Sequence, residues 1–211
     1  MANEMSTFVQ IKNANKEVSK KLTEIFTPEE GEYDVNAIQL MNRMYGTNYC
    51  YQADKEDWDE ELDWPSSDEW GDMIGPKWAY ADDFYMDDDG ESGSFNFRSA
   101  WSVPQPLLEG LAKIITEIKE DCYLVGNYED ESYEPVGAFL YAKDWDDIED
   151  LDHAYDPQDL WEDDELRDKM WDAISLCNSE ISSRRLCLSS SSFQNSYGFY
   201  EPVLVFLFVN D

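Results

Sequence analysis

The sequence predicts an α+β fold in which strands and helices interleave along one chain. Two observations carry this. Short stretches of alternating apolar and polar residues, the mark of half-buried strands, recur before, between and after helical patterns. Two segments, Lys16–Phe26 and Leu107–Lys119, place apolar residues at the three- and four-residue spacing of an amphipathic helix.

Ser6–Lys12 alternates around Phe8, Val9 and Ile11 and reads as a strand. Asn15 is placed to cap a helix over Lys16–Phe26, with Val18, Leu22, Ile25 and Phe26 on one face. Val35, Ile38, Met41 and Met44 predict a second short helix over Val35–Tyr45, closed by Gly46. An acid-rich stretch follows, with Trp58, Trp64 and Trp70 at even spacing; Pro65 and Gly71 are expected to break any long helix there. Lys77–Ala81 reads as a strand. Asp82–Glu91, followed by Gly93, reads as a turn, and Ser94–Trp101 as a strand with Phe95, Phe97 and Ser99 on one face. Pro104 and Pro106 open the helix over Leu107–Lys119, striped by Leu107, Leu108, Leu111, Ile114, Ile115 and Ile118. Cys122–Tyr128 and Val136–Lys143 read as strands. A helix is expected around Asp164–Ser182, with acids at its start and Arg184–Arg185 past its end, as the helix dipole prefers. Leu186–Ser192 and the apolar Val203–Val209 read as strands, the latter central and covered on both faces.

The order is β-α-(α, acidic insert)-β-β-α-β-β, then α-β-β. Its front part fits a ferredoxin-like sheet built on a split βαβ core, with helices on one face. Acidic insertions and a C-terminal helix-strand extension elaborate it. Residues 1–143 are read as the ferredoxin-like domain, with an acidic insertion at about 54–72. Residues 144–211 are read as an acidic segment, a helix and C-terminal strands packed on the same sheet.

At 211 residues, with 42% hydrophobic and 15% aromatic side chains, the chain can build a real core. Acid-rich disordered chains lack such aromatics. Met1–Lys16 carries no apolar leader stretch, and Val203–Val209 is far too short to span a bilayer. Cys50, Cys122, Cys177 and Cys187 are scattered, as reduced thiols of a cytoplasmic protein would be. One histidine and no paired cysteines argue against zinc.

The charge is unevenly placed. Asp54–Asp72 carries ten acids and one lysine, Asp82–Glu91 six acids, and Asp144–Asp168 thirteen acids and one arginine. These blocks hold 27 of the 33 net negative charges, so the rest of the chain is almost balanced. Such a charge repels nucleic acid and anionic membrane and attracts a basic partner. A compact chain of this length is about 43 Å across. A duplex of that length displays about 25 phosphate charges, close to the number of acids in the three blocks. On a helix, Glu165 and Asp168, or Asp168 and Asp172, lie about 5–6 Å apart, near the phosphate spacing. Trp58, Trp64, Trp70, Trp145 and Trp161 are positioned to pin the acidic segments to the core.

The run Phe97-Arg98-Ser99-Ala100-Trp101-Ser102-Val103-Pro104-Gln105-Pro106, leading into Leu107–Ala112, resembles the central motif of the YubB-type ferredoxin-like domain family of plasmids and bacteriophages. That motif reads aromatic-x-x-Ala-Trp-Ser-x-Pro-x-Pro. Gly75-Pro76-Lys77-Trp78 resembles the family's Gly-Thr-Lys-Trp, with proline in place of threonine. Tyr128–Glu129 with Gly137-Ala138-Phe139 is similar to its downstream element. The resemblance covers residues 5–143. It implies a ferredoxin-like fold and a mobile-element origin, and brings no activity or catalytic residue. The acids before Gly75, at Asp87–Asp89 and after Lys143 depart from the family pattern.

Chemistry-bearing motifs are few. Asp87-Asp88-Asp89-Gly90-Glu91 starts like a calcium loop, but its sixth and twelfth positions are Ser92 and Arg98 rather than Gly and Glu. His153, between Asp152 and Asp156, reads as an exposed loop histidine before a metal ligand. No nucleophile elbow, P-loop or dinucleotide fingerprint is present. A single-strand platform needs a positive groove; Lys12, Lys16, Lys20 and Lys21 make a small basic patch and Arg184–Arg185 another, and each reads as charge for salt bridges or solubility.

The expectation is therefore a non-enzymatic, phage-type protein without cofactor or metal, acting in the host bacterial cytoplasm. It would present acid as a nucleic-acid mimic to a basic nucleic-acid-binding host protein: a restriction, CRISPR or other defence nuclease, or RNA polymerase. The residues expected to make that surface are Asp57, Asp59, Glu60, Glu61 and Asp63; Asp87, Asp88 and Asp89; Asp146, Asp147, Glu149 and Asp150; and Asp163, Asp164, Glu165 and Asp168. Direct binding of nucleic acid or membrane is not expected, and the oligomeric state, a homodimer included, stays open. The alternatives are an accessory or structural phage protein with incidental acidity, and a metal-dependent carboxylate enzyme.

Overall fold

The computed structural model describes residues 3–49, 65–132, 135–143 and 164–172, the backbone of 145–150, and positions 174, 175 and 179. Its elements in chain order are β1 (Glu4–Lys12), α1 (Lys16–Phe26), β2 (Val35–Asn36), α2 (Ala37–Tyr45), α3 (Ser67–Met73), β3 (Ala79–Met86), β4 (Gly93–Ala100), α4 (Gln105–Ile118), β5 (Tyr123–Asp130), β6 (Val136–Ala142) and β7 (Trp145–Asp150). The strands form one sheet in the order β2-β3-β4-β1-β5-β6-β7, every pairing antiparallel. At its centre β1 and β3 are joined through α1, β2, α2 and α3 with β4 between them, and β4 and β5 are joined through α4 with β1 between them. Those two interleaved split βαβ units are the ferredoxin-like arrangement expected from the element order.

Local chemistry explains the helix boundaries. The Asn15 side chain accepts hydrogen bonds from the backbone N–H groups of Glu17 and Val18 (3.0 and 2.9 Å), so α1 starts at Lys16 as expected. Asn36 and Gln39 form a reciprocal capping box that starts α2, and Gly46 at φ 69° ends it. A second box, Ser66 with Glu69, starts α3. Trp70 then donates its indole N–H to the Pro76 carbonyl (2.8 Å), and the Tyr49 hydroxyl donates to Glu69 (2.9 Å). α4 has no side-chain cap; it relies on the fixed φ of Pro104 and Pro106.

One face of the sheet is apolar. Val9 and Ile11 of β1, Phe95 and Phe97 of β4, Leu124 of β5 and Phe139 of β6 pack under Val18, Leu22, Ile25 and Phe26 of α1 and Leu107, Leu108, Leu111 and Ile115 of α4. The Phe26 ring lies 4.5 Å from Phe95 and 5.1 Å from Phe84, centroid to centroid. The expected stripes of α1 and α4 are thus the buried ones, with Ile114 and Ile118 partly buried at the margin. On the opposite face a helical segment over 164–172 seats Met170, with Ile174 just beyond, on Val136 of β6. The helices therefore do not all lie on one face.

The structure corrects several element readings. Val35–Asn36 is a short strand, not the first turn of a helix: it pairs with Tyr80 and Ala81, and Asn36 then serves as the cap of α2. Gly71 lies inside α3 instead of breaking it. The strand expected over Lys77–Ala81 runs on to Met86, so Asp82 and Asp83 belong to β3 and only Asp87–Ser92 turn. Trp145–Asp150, read as an acidic connector, is a strand paired with β6. The readings for Asp54–Trp64, Leu186–Ser192 and Val203–Val209 lie outside the described residues.

Gly126 shows how closely the central strands approach. A Cβ there would run into the Phe8 carbonyl and the Phe139 ring. Gly126→Ala is predicted to destabilise the fold by about 1–3 kcal/mol, the usual cost of overpacking. Urea denaturation checks this, and an unchanged midpoint would contradict the pairing of Gly126 with Val9 between β5 and β1.

Candidate functional site

The second face of the sheet is covered over β6 and open over β1. Register places its residues in rows across the strands. One row runs Tyr80, Arg98, Ser6, Glu129, Val136; the next runs Asp82, Asn96, Phe8, Asn127, Ala138. Val136, Ala138 and Leu140 are buried, Val136 beneath Met170 and Ile174. Ser6 is exposed, and Phe8, in the middle of the central strand, is 37% exposed. The result is a polar floor with one aromatic side chain at its centre and a wall on the β6 side.

Two charged groups of the floor have opposite circumstances. Arg98 donates to Asp82 (2.8 Å) and to Asp34 (3.2 Å). Partial burial opposes its charge, but the Asp82 hydrogen bond and the charges of Asp82, Glu4 and Asp34 prevail and raise its pKa. Glu129 is partly buried at the foot of the wall, and no hydrogen bond or ion pair joins its carboxylate to another described side chain. Burial is the sole cause of its pKa, which lies above the ordinary carboxylate value. Arg98 is two strands away, roughly 10 Å, and already engaged.

The sequence-predicted acids fall in several places. Asp87, Asp88 and Asp89 form the β3–β4 turn, at the end of the sheet where Gly93 faces Ile11. Asp88 and Asp89 are exposed and Asp87 is partly buried. The turn is locally tied: the Ser92 hydroxyl donates to Asp87, and the Glu91 N–H donates to Asp89 (2.9 Å). Their field, that of Asp87 foremost, raises the pKa of the Tyr85 phenol. Asp164, Glu165 and Asp168 are exposed on the helical segment beside Val136, at the other end of the sheet. Arg167 pairs with Asp164 and Lys169 with Glu165 (3.2 Å). Asp146, Asp147, Glu149 and Asp150 lie on β7, in register with Tyr141, Leu140, Ala138 and Gly137. The structure thus brings Asp164, Glu165 and Asp168 together and keeps them apart from the Asp87–Asp89 turn. Asp57, Asp59, Glu60, Glu61, Asp63 and Asp163 lie outside the described residues. Among the described residues no group of three or more His, Cys, Asp or Glu side chains is arranged to hold a metal ion. No helix among them is long and apolar enough to cross a membrane.

The Ala100-Trp101-Ser102 motif makes the turn from β4 into α4. Trp101 adopts φ 61°, rare for a bulky side chain, and is 54% exposed. Its N–H donates to the Asn3 carbonyl (3.1 Å), the Ser99 hydroxyl donates to the Ser102 carbonyl (2.7 Å), and the Lys77 ammonium sits 5.7 Å from its ring centroid. Phe8 and Glu129 were invisible as site residues in the sequence. The available signal was strand periodicity: if Val9 and Ile11 face the core, Phe8 must face away from it.

Comparison with protein-family models, curated proteins and solved structures returns no match. The class is therefore set by architecture alone: an α+β protein with a ferredoxin-like sheet, one face packed under helices and the other partly open.

The pKa of Glu129 generates a prediction. A carboxyl whose folded pKa is raised binds protons more tightly in the folded state. Its favourable contribution is present at acid pH and is lost as pH rises through the folded value. Glu129→Gln is therefore predicted to raise the thermal midpoint at neutral pH and to leave it unchanged below the carboxylate range. Paired melts at the two pH values check this; a lower midpoint at neutral pH would show that the carboxylate has a stabilising partner.

Proposed function

We propose that the chain is a non-catalytic, phage-type protein that uses clustered acid as a nucleic-acid mimic. Its target is a basic nucleic-acid-binding protein of the host bacterial cytoplasm. The observation that carries this reading is the placement of charge: three blocks hold 27 of 33 net negative charges around an otherwise near-neutral scaffold. Solubility needs a net charge but not its segregation.

Several features support the reading. The described carboxylates of the turn and of the 164–172 helix are mostly exposed, so their charge is available to a partner at little desolvation cost. The Asp87 and Asp89 carboxylates of the turn are held in place by local hydrogen bonds, which lowers the entropy lost on binding. Carboxylates then take the lysine and arginine contacts that phosphates otherwise make. Attraction speeds the encounter, and affinity falls with added salt.

Displacement of a fluorescent duplex from purified nucleic-acid-binding proteins tests this: RNA polymerase, a restriction endonuclease and a CRISPR nuclease. The protein is expected to release the duplex from at least one at low salt and progressively less as salt rises. A combined Asp164→Asn, Glu165→Gln, Asp168→Asn variant is expected to bind about 1–2 kcal/mol more weakly at low salt, since exposed pairs contribute up to about 1 kcal/mol each. Failure to displace the duplex from any of the three at low salt would count against the reading.

A further inference from the structure

The acidic blocks account for attraction at a distance but not for recognition at contact. One group on the open face is suited to contact. Glu129 is a partly buried carboxylate with no cation beside it among the described residues, on a face where Arg98, also partly buried, has two carboxylates. A desolvated, uncompensated charge costs free energy, so a fold selected for stability alone has no use for it. Phe8 lies on the neighbouring strand one row away, a diagonal position within reach of a long side chain. It is exposed at the centre of the sheet, where an aromatic ring would otherwise be buried. Asn127, next to Glu129 on the same face of β5, and Ser6, directly across from it, add hydrogen-bonding groups.

We propose that Phe8 and Glu129 form a receptor for one arginine side chain of the basic partner. The guanidinium lies over the Phe8 ring and donates two parallel hydrogen bonds to the Glu129 carboxylate. Arginine fits better than lysine on chemical grounds. Its planar fork matches a carboxylate in two hydrogen bonds, it stacks on an aromatic face, and it gives up hydration more readily than an ammonium. Charge complementarity commits the occupant to a cation: the chain is strongly acidic, and Glu4 adds a further carboxylate close to this face. Arg98 does not fill the site, because Asp82 and Asp34 hold it on the far side of β1. The inference rests on the basic-partner reading above and adds the side chain that is recognised.

The test compares hexa-arginine and hexa-lysine peptides, equal in charge, binding to the intact chain at low salt by calorimetry. The expected result is about a fivefold preference for arginine. Glu129→Gln and Phe8→Ala should each reduce that preference to near one while changing lysine binding less than about twofold, since long-range attraction is kept. Phe8→Tyr retains the ring and should retain the preference. Thermal melts of each variant establish that it is folded. Equal binding of the two peptides would overturn the arginine receptor and leave the acidic-mimic reading standing. No binding of either peptide would overturn both. An arginine preference that survives in Glu129→Gln and Phe8→Ala would place recognition elsewhere and also overturn the proposal.

Discussion

The register of β1 is the constraint on which everything else in this structure depends. β1 pairs with β4 on one side and β5 on the other, from Met5 to Ile11 on both sides. In a strand, a slip of one residue exchanges the two faces. With the observed register Met5, Val9 and Ile11 enter the core, and Ser6, Phe8 and Gln10 face outward. A one-residue slip would expose Val9 and Ile11 and drive Phe8 and Gln10 beneath α1 and α4. Gly126 enforces the choice, since only a residue without a side chain lets β5 pass the Phe8 carbonyl. One strand thus defines both the apolar core and the open face opposite it.

The charge is built around that core and takes little part in it. The described acids at Asp88, Asp89, Asp164, Glu165 and Asp168 are exposed; Asp89 is tied within its turn, and Asp164 pairs with Arg167 of its own helical segment. Asp82 is different: it stands within β3 and holds Arg98 across to β4. Acid of both kinds occurs within one sequence block, and only the register separates them. The acid that crosses strands belongs to the fold; most of the acid on the turn and helix is exposed to solvent.

Much of the fold was legible because its signals were local. Asn15 before a run of apolar residues at helical spacing fixes α1, and the paired prolines at 104 and 106 fix the start of α4. Phe95, Phe97 and Ser99 alternate cleanly and are buried together in β4. What was missed depends on contacts distant in sequence. Val35 suits a helical spacing with Ile38, and only pairing with Ala81 makes it a strand. Asp82 and Asp83 are poor strand residues that β4 nonetheless pulls into the sheet, with a bulge after Asp82. Trp145–Asp150 has four acids in six residues and no apolar face, so its strand exists only because β6 offers an edge. The acidic residues were readable as a candidate surface from their clustering. Glu129 was not, because its distance from every cation among the described residues is a property of the sheet and not of its neighbours in the chain.

The central claim is that the exposed acid serves a partner and not the fold. The most direct measurement is the urea stability of a variant in which Asp87, Asp88, Asp89, Asp164 and Asp168 are asparagine and Glu165 is glutamine. Amides keep the hydrogen-bond acceptors of the turn while removing six like charges. Relief of self-repulsion predicts a stability equal to or above that of the parent at low salt, with any gain disappearing as salt screens the parent's charge. A variant less stable than the parent at every salt concentration would contradict the claim, because it would mean that the carboxylates hold the fold together.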